Sequence, residues 1–433
     1  MFYPRKTVRP AHIGTCKKSR LCTTAALFAF FIMPVNALAA LDLDETVRLA
    51  LLDDPAIKAM QARASAISDA AVADGQLPDP QLKTGLYNLP VDDFDIDREP
   101  TTQLRLGLVQ AFPRGKTLQY TQQQTEWLAQ AELANSEITG RKLVRDVRKH
   151  FLELYYQIQA EQVVRESRKL FAQLVDITQA HYANGRVSQQ DVLSASLELY
   201  RLDDRTTRIL NEADKGRAAL MKWIGDTALL PIDDQFPELP NIPSKETIAA
   251  ALPEHPLIRA ETAKLAASKR KIQIANEQYK PGWSAGLEYR KRFGDDPDGD
   301  SRADMMAAMV TVDIPLFTEN RQDKNVAARE ESANAARYTR DDKLRILKRK
   351  LEKDRAIYRR LGERELIYKN KLVNSATSNA EASLNAYQSG VTEFTTLMRA
   401  RITELDVRLD NLRIKVDRLR AQARLLYVTG EPQ

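Results

Sequence analysis

The chain contains one plan twice. From Glu45, the segment ETVRLALLDDPAIKAMQA matches ETIAAALPEHPLIRAETA from Glu246, with Pro55/Pro256, Ile57/Ile258 and Pro80/Pro281 in step. Further on, HYANGRVSQQDVLSASLEL around Gly185 matches AYQSGVTEFTTLMRARITEL around Gly390. Self-similarity on this scale decides the architecture before any residue-level reading does. Residues 40–230 form a first copy, the Pro-rich segment 231–243 (PIDDQFPELPNIP) a linker, and residues 244–433 a second copy.

Proline placement divides each copy. None occurs between Pro113 and Pro231, or between Pro315 and Pro432, and both stretches are rich in good helix formers. In the second, Ile402, Leu405, Leu409, Leu412, Val416, Leu419, Ala423 and Leu426 alternate steps of three and four, the seam of a coiled coil. Leu143, Val147, Phe151, Leu154 and Ile158 give a similar stripe in the first. Each stretch breaks at a glycine turn, so hairpins are expected over 115–225 and 319–428. Their outgoing helices (115–183, 319–388) run to roughly 70 residues, or ~105 Å, and their returning helices to roughly 37 residues, or ~55 Å. Helical regions at 42–77 and 244–279 open each copy. A returning helix stacked on an opening one equals one outgoing helix, giving a uniform wall about 100 Å long, which could span a periplasm.

Between these helices the period changes to two. Trp283, Ala285, Leu287 and Tyr289 alternate with Ser284, Gly286, Glu288 and Arg290; Met306, Ala308, Val310 and Val312 alternate with Met305, Ala307, Met309 and Thr311. Leu104, Leu106 and Leu108 do the same in the first copy. Strands are expected at about 81–89, 102–112, 282–293 and 303–316. Such alternation fits an outer-membrane barrel and, equally, a half-buried soluble sheet. No other stretch reaches the ~18 apolar residues of a spanning helix, so any membrane crossing falls to strands. Four strands cannot close a barrel, and unpaired edges are not tolerated in lipid. Three subunits would supply twelve.

Residues 1–39 read as a signal peptide: a basic start, the apolar run Ala25–Met33, and a small-x-small site at Ala37–Ala39. They carry six Lys/Arg and no Asp/Glu, so beyond them 59 acidic residues are balanced by as many basic ones. The net charge of +6 therefore belongs to the leader, and with it goes any argument for nucleic acid. Cys16 and Cys22 precede the apolar run, where neither could carry a lipoprotein's acyl group, and beyond it the chain has no cysteine.

Whole-length layout and local motifs together resemble the TolC-type outer-membrane efflux family, over essentially all of residues 40–433. Pro113 and Pro315 stand where strands hand over to long helices. The turn motif Tyr-x-x-Gly, a short polar stretch and Leu-x-Ala stands as Tyr182, Gly185, Leu193 and Ala195, and again as Tyr387, Gly390, Met398 and Ala400, with Met398 in place of leucine. The resemblance implies an α+β membrane protein: a trimeric 12-stranded β-barrel, four strands per subunit, continued by a long periplasmic α-helical coiled-coil tunnel. It implies a passive exit duct, not an enzyme, with no cofactor. Its implied partners are a periplasmic adaptor, an inner-membrane pump of the proton-driven RND type and outer-membrane lipid. Chain length adds an analogy to the heavy-metal efflux branch. The alternatives are a periplasmic adaptor, which would carry one hairpin between β-rich halves, and a purely structural coiled coil.

Two sites follow from the resemblance. The turns, with Gly185, Arg186, Val187, Ser188, Gly390, Val391 and Thr392, would be displayed at the periplasmic tip for the adaptor. Glu381, nine residues before Gly390, would face the pore as an acidic gate with Tyr387 as partner; Asp176 is its counterpart in the first copy. The plain alternative for Glu381 is a solvent-facing helix residue.

Other chemistry is not supported. His150, His181 and His255 lie in separate elements and read as packing or surface residues. Gly115-Lys116-Thr117 ends like a phosphate loop, but Gln110 stands where its first glycine belongs. Asp296, Asp298 and Asp300 imitate a calcium loop whose glycine and final glutamate positions hold Ser301 and Ala307. Met305 and Met309 would both enter a barrel lumen, where thioethers suit Cu(I), though methionines there can be merely tolerated.

Overall fold

The computed structural model describes residues 40–429; the expected signal peptide and both cysteines lie outside them. Helix α1 (Leu43–Leu52) starts at Asp42, whose carboxylate accepts the Glu45 amide at 2.6 Å. Asp54 then caps α2 (Pro55–Asp74), with proline at its first position. The opening region 42–77 is thus two helices, because Asp54-Pro55 ends one and starts the next. Strands β1 (Gln81–Tyr87) and β2 (Gln103–Phe112) follow, then α3 (Thr117–Ala183) and α4 (Gln189–Ile224).

The second copy repeats this order: α5 (Lys245–Ala251), α6 (Pro256–Glu277), β3 (Gly282–Arg292) and β4 (Met305–Asp313). One expectation fails in what comes next. The run 319–388 is not one helix: α7 (Gln322–Ile367) ends in a π-helical turn, Tyr368–Leu372, before α8 (Val373–Gln388). The wider turn takes up an extra residue and rotates α8 relative to α7. Tyr368 marks it by donating from its hydroxyl to Asp410 at 3.3 Å. The chain closes with α9 (Phe394–Thr429).

Helix α3, 67 residues and about 100 Å long, organises the rest. Its first half meets α2, through Thr125 and Asp74 at 2.6 Å, and α6, through Glu137 and Arg259. Its second half meets α4 and α9. The apolar seam of α9 is spent on α3: Leu405 and Leu409 bury with Val164 and Phe171, and Val416 with Val147, Phe151 and Leu154. Against its own partner α7, α9 instead uses Leu425 and Val428 on Leu347 and Leu351, and the ion pairs Arg424–Asp354 and Arg418–Glu365. The copies are therefore interleaved.

The four strands form one antiparallel sheet in the order β1-β2-β3-β4. The central pair, β2 with β3, joins the two copies. Among the described residues, no helix is long and apolar enough to cross a membrane.

Candidate functional site

Cross-strand partners in an antiparallel sheet point to the same face, so the register sorts the strands' side chains. Leu82, Leu108, Leu287 and Ala308 form one row; Leu106, Tyr289 and Met306 another; Phe112, Trp283 and Val312 a third. Every large apolar member of this face is exposed except Phe112, which stacks on Trp283 with ring centroids 4.0 Å apart. The opposite face carries Lys83 beside Gly107 and Glu288, then Gly85, Arg105, Arg290 and Met305, then Ser284 and Thr311. Strand β1, the least regular in sequence, alternates in phase with the rest. The same face also carries Thr84, Gln110 and, near the loop end, Lys291, but a face this largely apolar is costly to expose to water and ordinary in lipid.

Met305 and Met309 do share the polar face, but Met305 stands across from Arg290, with Arg105 one strand further on, and Met309 stands across from Gly286. Guanidinium groups beside a thioether oppose a cationic ligand at that level. The acidic loop residues make an ordinary turn: the Gly299 amide donates to the Asp296 carbonyl at 2.9 Å.

The two glycine turns are brought side by side. In each, the glycine amide donates to the carbonyl of the tyrosine one residue inside the helix end (Gly185 to Tyr182, 2.9 Å; Gly390 to Tyr387, 3.0 Å). The next amide reaches back further (Arg186 to His181, 2.9 Å; Val391 to Ala386, 2.8 Å). This is the Schellman end, which needs the left-handed backbone that Gly185 (φ 68°) and Gly390 (φ 72°) supply. Ser188 and Asp191 then form a reciprocal capping box for α4. Between the turns lies an open cleft of about 720 Å³, with Arg186, Ser188 and Asp191 on one wall and Thr392 and Glu393 on the other.

The structure corrects how these turns present themselves. Val391 is 80% exposed, and Arg186 and Ser188 are exposed, but Val187 and Thr392 are half-buried, Val187 against the apolar cluster below. The displayed side chains are therefore Arg186, Ser188 and Val391. Tyr387 is 4% exposed, with its ring against Phe394 and His181 at 5.7 and 5.6 Å. Burial raises the pKa of its hydroxyl, with Thr178 beside it pulling the other way. It is a keystone between the hairpins and not a group offered towards Glu381. Glu381 and Asp176 are both exposed.

The histidines serve packing. His255 is 2% exposed; its Nδ1 accepts the Leu257 amide at 3.1 Å and caps α6, while Nε2 faces the Tyr427 carbonyl at 3.3 Å. Burial pushes its pKa down to about 4. His150 lies against Trp223, ring centroids 5.7 Å apart.

Two features had no strong signal in the sequence. Gly115 (φ 50°) leads from β2 into α3, and a Cβ there would collide with Glu277 Oε2. Glu277, buried, accepts the Lys116 amide at 2.7 Å and the Lys280 ammonium at 2.7 Å. The false phosphate loop is thus a clasp between the copies. Glu153 on α3 takes both prongs of Arg413 at 2.9 Å and Arg420 at 2.9 Å. Burial would push the Glu153 carboxyl up, but Arg413 outweighs it and holds the pKa below the usual range.

The outer membrane efflux protein family matches residues 46–226 and 247–431, one stretch in each copy. No curated protein matches the sequence. Among solved structures, the fold is similar to the outer-membrane channel OprN (TM-score 0.76, 17% identity, 90% of each chain). It is similar too to CusC (0.77, 14%, 91% of this chain and 93% of that) and to the outer membrane protein VceC of Vibrio cholerae (0.75, 16%, 90% and 96%).

Proposed function

Because the chain belongs to the outer membrane efflux protein family, we propose that three copies close into a 12-stranded barrel continued by a helical tunnel. As a member, it is an efflux channel of the Gram-negative outer membrane that extends into the periplasm. The observation that carries the proposal is the sheet, with one largely apolar exposed face, one polar face and, among the described residues, the outer edges of β1 and β4 unpaired. An even strand number makes β1 antiparallel to a neighbour's β4, so identical edges of three subunits can pair and leave none open to lipid. The acidic loops would then lie outside the cell and the hairpin tips deep in the periplasm.

The duct is passive and catalyses nothing. It receives cargo from a periplasmic adaptor and an inner-membrane pump, which we infer to be of the RND type. The tip displaying Arg186, Ser188 and Val391, with Gly185, Gly390 and the flanking Val187 and Thr392, is the adaptor's docking site. Three Glu381 carboxylates at the narrowed entrance form a ring that draws cations. A heavy-metal cargo rests on the chain-length analogy alone, and Arg290 beside Met305 weighs against it.

The test is the protein purified from outer membranes. Unheated, it should migrate as a trimer and open channels in a planar bilayer; boiled, it should run as a monomer. Glu381→Gln should lower cation selectivity and weaken block by trivalent cations from the periplasmic side, whereas Asp176→Gln should not. A monomer before heating, with no conductance, would defeat the assembly.

A further inference from the structure

We propose that the duct holds an anion-binding station, a basic cleft between α3, α7 and α9 that opens to the lumen and takes polyvalent organic anions. The inference rests on the duct reading above and extends it to a class of cargo. The cleft measures about 550 Å³, within the usual range of small-molecule sites. It lies where α9 ends against the start of α6, with Tyr427 beside His255.

Charge sets the ligand. Lys149 from α3 and Lys350 and Lys353 from α7 stand around the mouth, exposed, and none has an ion pair among the described residues. Deeper in, Arg145 is held by Asp146 at 2.8 Å and Arg424 by Asp354 at 2.8 Å. Arg420 is held from outside the cleft by Glu153 and Asp417, yet its Nε is buried without a partner. The lining therefore counts six cations against two carboxylates. Lys350 and Lys353 sit one turn apart on a helix, where like charges repel unless a counter-ion lies between them. Ile357, Tyr427 and Val428 give an apolar floor. Several negative charges on an apolar body match that combination.

The wall's construction says which way the cleft opens. The linker crosses α9 at Gln422, whose side-chain amide donates to the Leu239 and Pro240 carbonyls at 3.2 and 2.9 Å. At about 100° per residue, Gln422 lies about 160° round the helix from both Arg420 and Arg424. On α3, the linker meets Tyr155, whose hydroxyl donates to the Asp234 carbonyl at 3.1 Å, about 120° from Lys149. Linker and cleft thus occupy different faces of both α3 and α9. Three linkers inside a ring of helices would plug the passage; placed outside they form a belt, and the clefts face inward.

The probe is 8-hydroxypyrene-1,3,6-trisulfonate, a fluorescent aromatic trianion. Its binding to the detergent-solubilised trimer is read by anisotropy, and its block of single channels in a bilayer from the extracellular side, where it need not pass the Glu381 ring. The parent should bind and be blocked. K149Q/K350Q/K353Q should weaken both at least tenfold, and Arg at the same three positions should restore them. Gln at the exposed Lys169, Lys222 and Lys269 should change neither. Equal weakening in the two Gln triples, or none in either, overturns the cleft as a site. Binding without block at saturation overturns its lumenal aspect. A protein that forms no channel refutes the duct, while anisotropy still decides whether the cleft binds.

Discussion

Acid should loosen the junction between α6 and α9 through one residue, His255. Its ring is neutral in the fold, one nitrogen capping Leu257 and the other facing Tyr427, with its pKa pushed down to about 4 from an ordinary 6.5. Burial is the main cause, and Arg141 and Lys350 add repulsion. Between these values the unfolded chain binds the proton that the folded chain refuses, so stability rises with pH across the window. The contribution is complete above pH ~6.5 and lost as pH falls towards 4, about 3 kcal/mol at the limit. At pH 5 the loss is about 2 kcal/mol, or about 30-fold in an opening equilibrium. Amide exchange at Leu257, Ile258 and Val428, corrected for intrinsic rate, should show that loss between pH 7.5 and 5.0. His255→Asn keeps a capping acceptor and cannot titrate, so its protection should stay level over the same interval. If parent and variant fell in parallel, the acid sensitivity would belong to other groups and the argument would be wrong.

Leu287→Arg, on the apolar sheet face, should cost roughly 2–4 kcal/mol per subunit and deplete heat-resistant trimer on gels, whereas Ser284→Arg on the other face should assemble normally. Gly390→Ala meets no atom within 4 Å, so its cost should be the left-handed backbone alone, about 1 kcal/mol, read as a lowered melting temperature of purified trimer. Arg186→Glu with Val391→Trp should abolish efflux in whole cells while trimer yield holds; normal efflux would remove the tip from docking. Glu153→Gln leaves Arg413 and Arg420 to Asp417 alone, and should destabilise by about 2 kcal/mol, seen as a lower denaturation midpoint.

The readable parts of the molecule were those written in period or punctuation. Proline-free stretches carry the long helices, Gly185 and Gly390 carry the turns, and the repeat announces itself residue against residue. The π turn at Tyr368–Leu372 had neither proline nor glycine to mark it, since it answers to the phase of α9 across the groove. Tyr387 and Val187 show the limit of such punctuation. Their place in a motif says where the chain turns, but not which side chains the neighbouring hairpin covers. The basic cleft draws on three helices far apart in sequence, so no window along the chain contains it.

That α9 lays its seam on α3 has a consequence for biogenesis. Export delivers the chain amino end first, and Val147, Phe151 and Leu154 reach the periplasm long before Val416, which is to lie over them. Until the final helix arrives, that stretch of wall is an open apolar strip in a compartment crowded with other unfolded outer-membrane chains. Contacts so distant along the chain close slowly, and exposed apolar surface aggregates meanwhile. A holding chaperone must therefore escort the whole chain, and not its strands alone. A chain stopped before Leu405 would lose the inner cover of its first copy along with the end of its second, so that early termination leaves no partial duct.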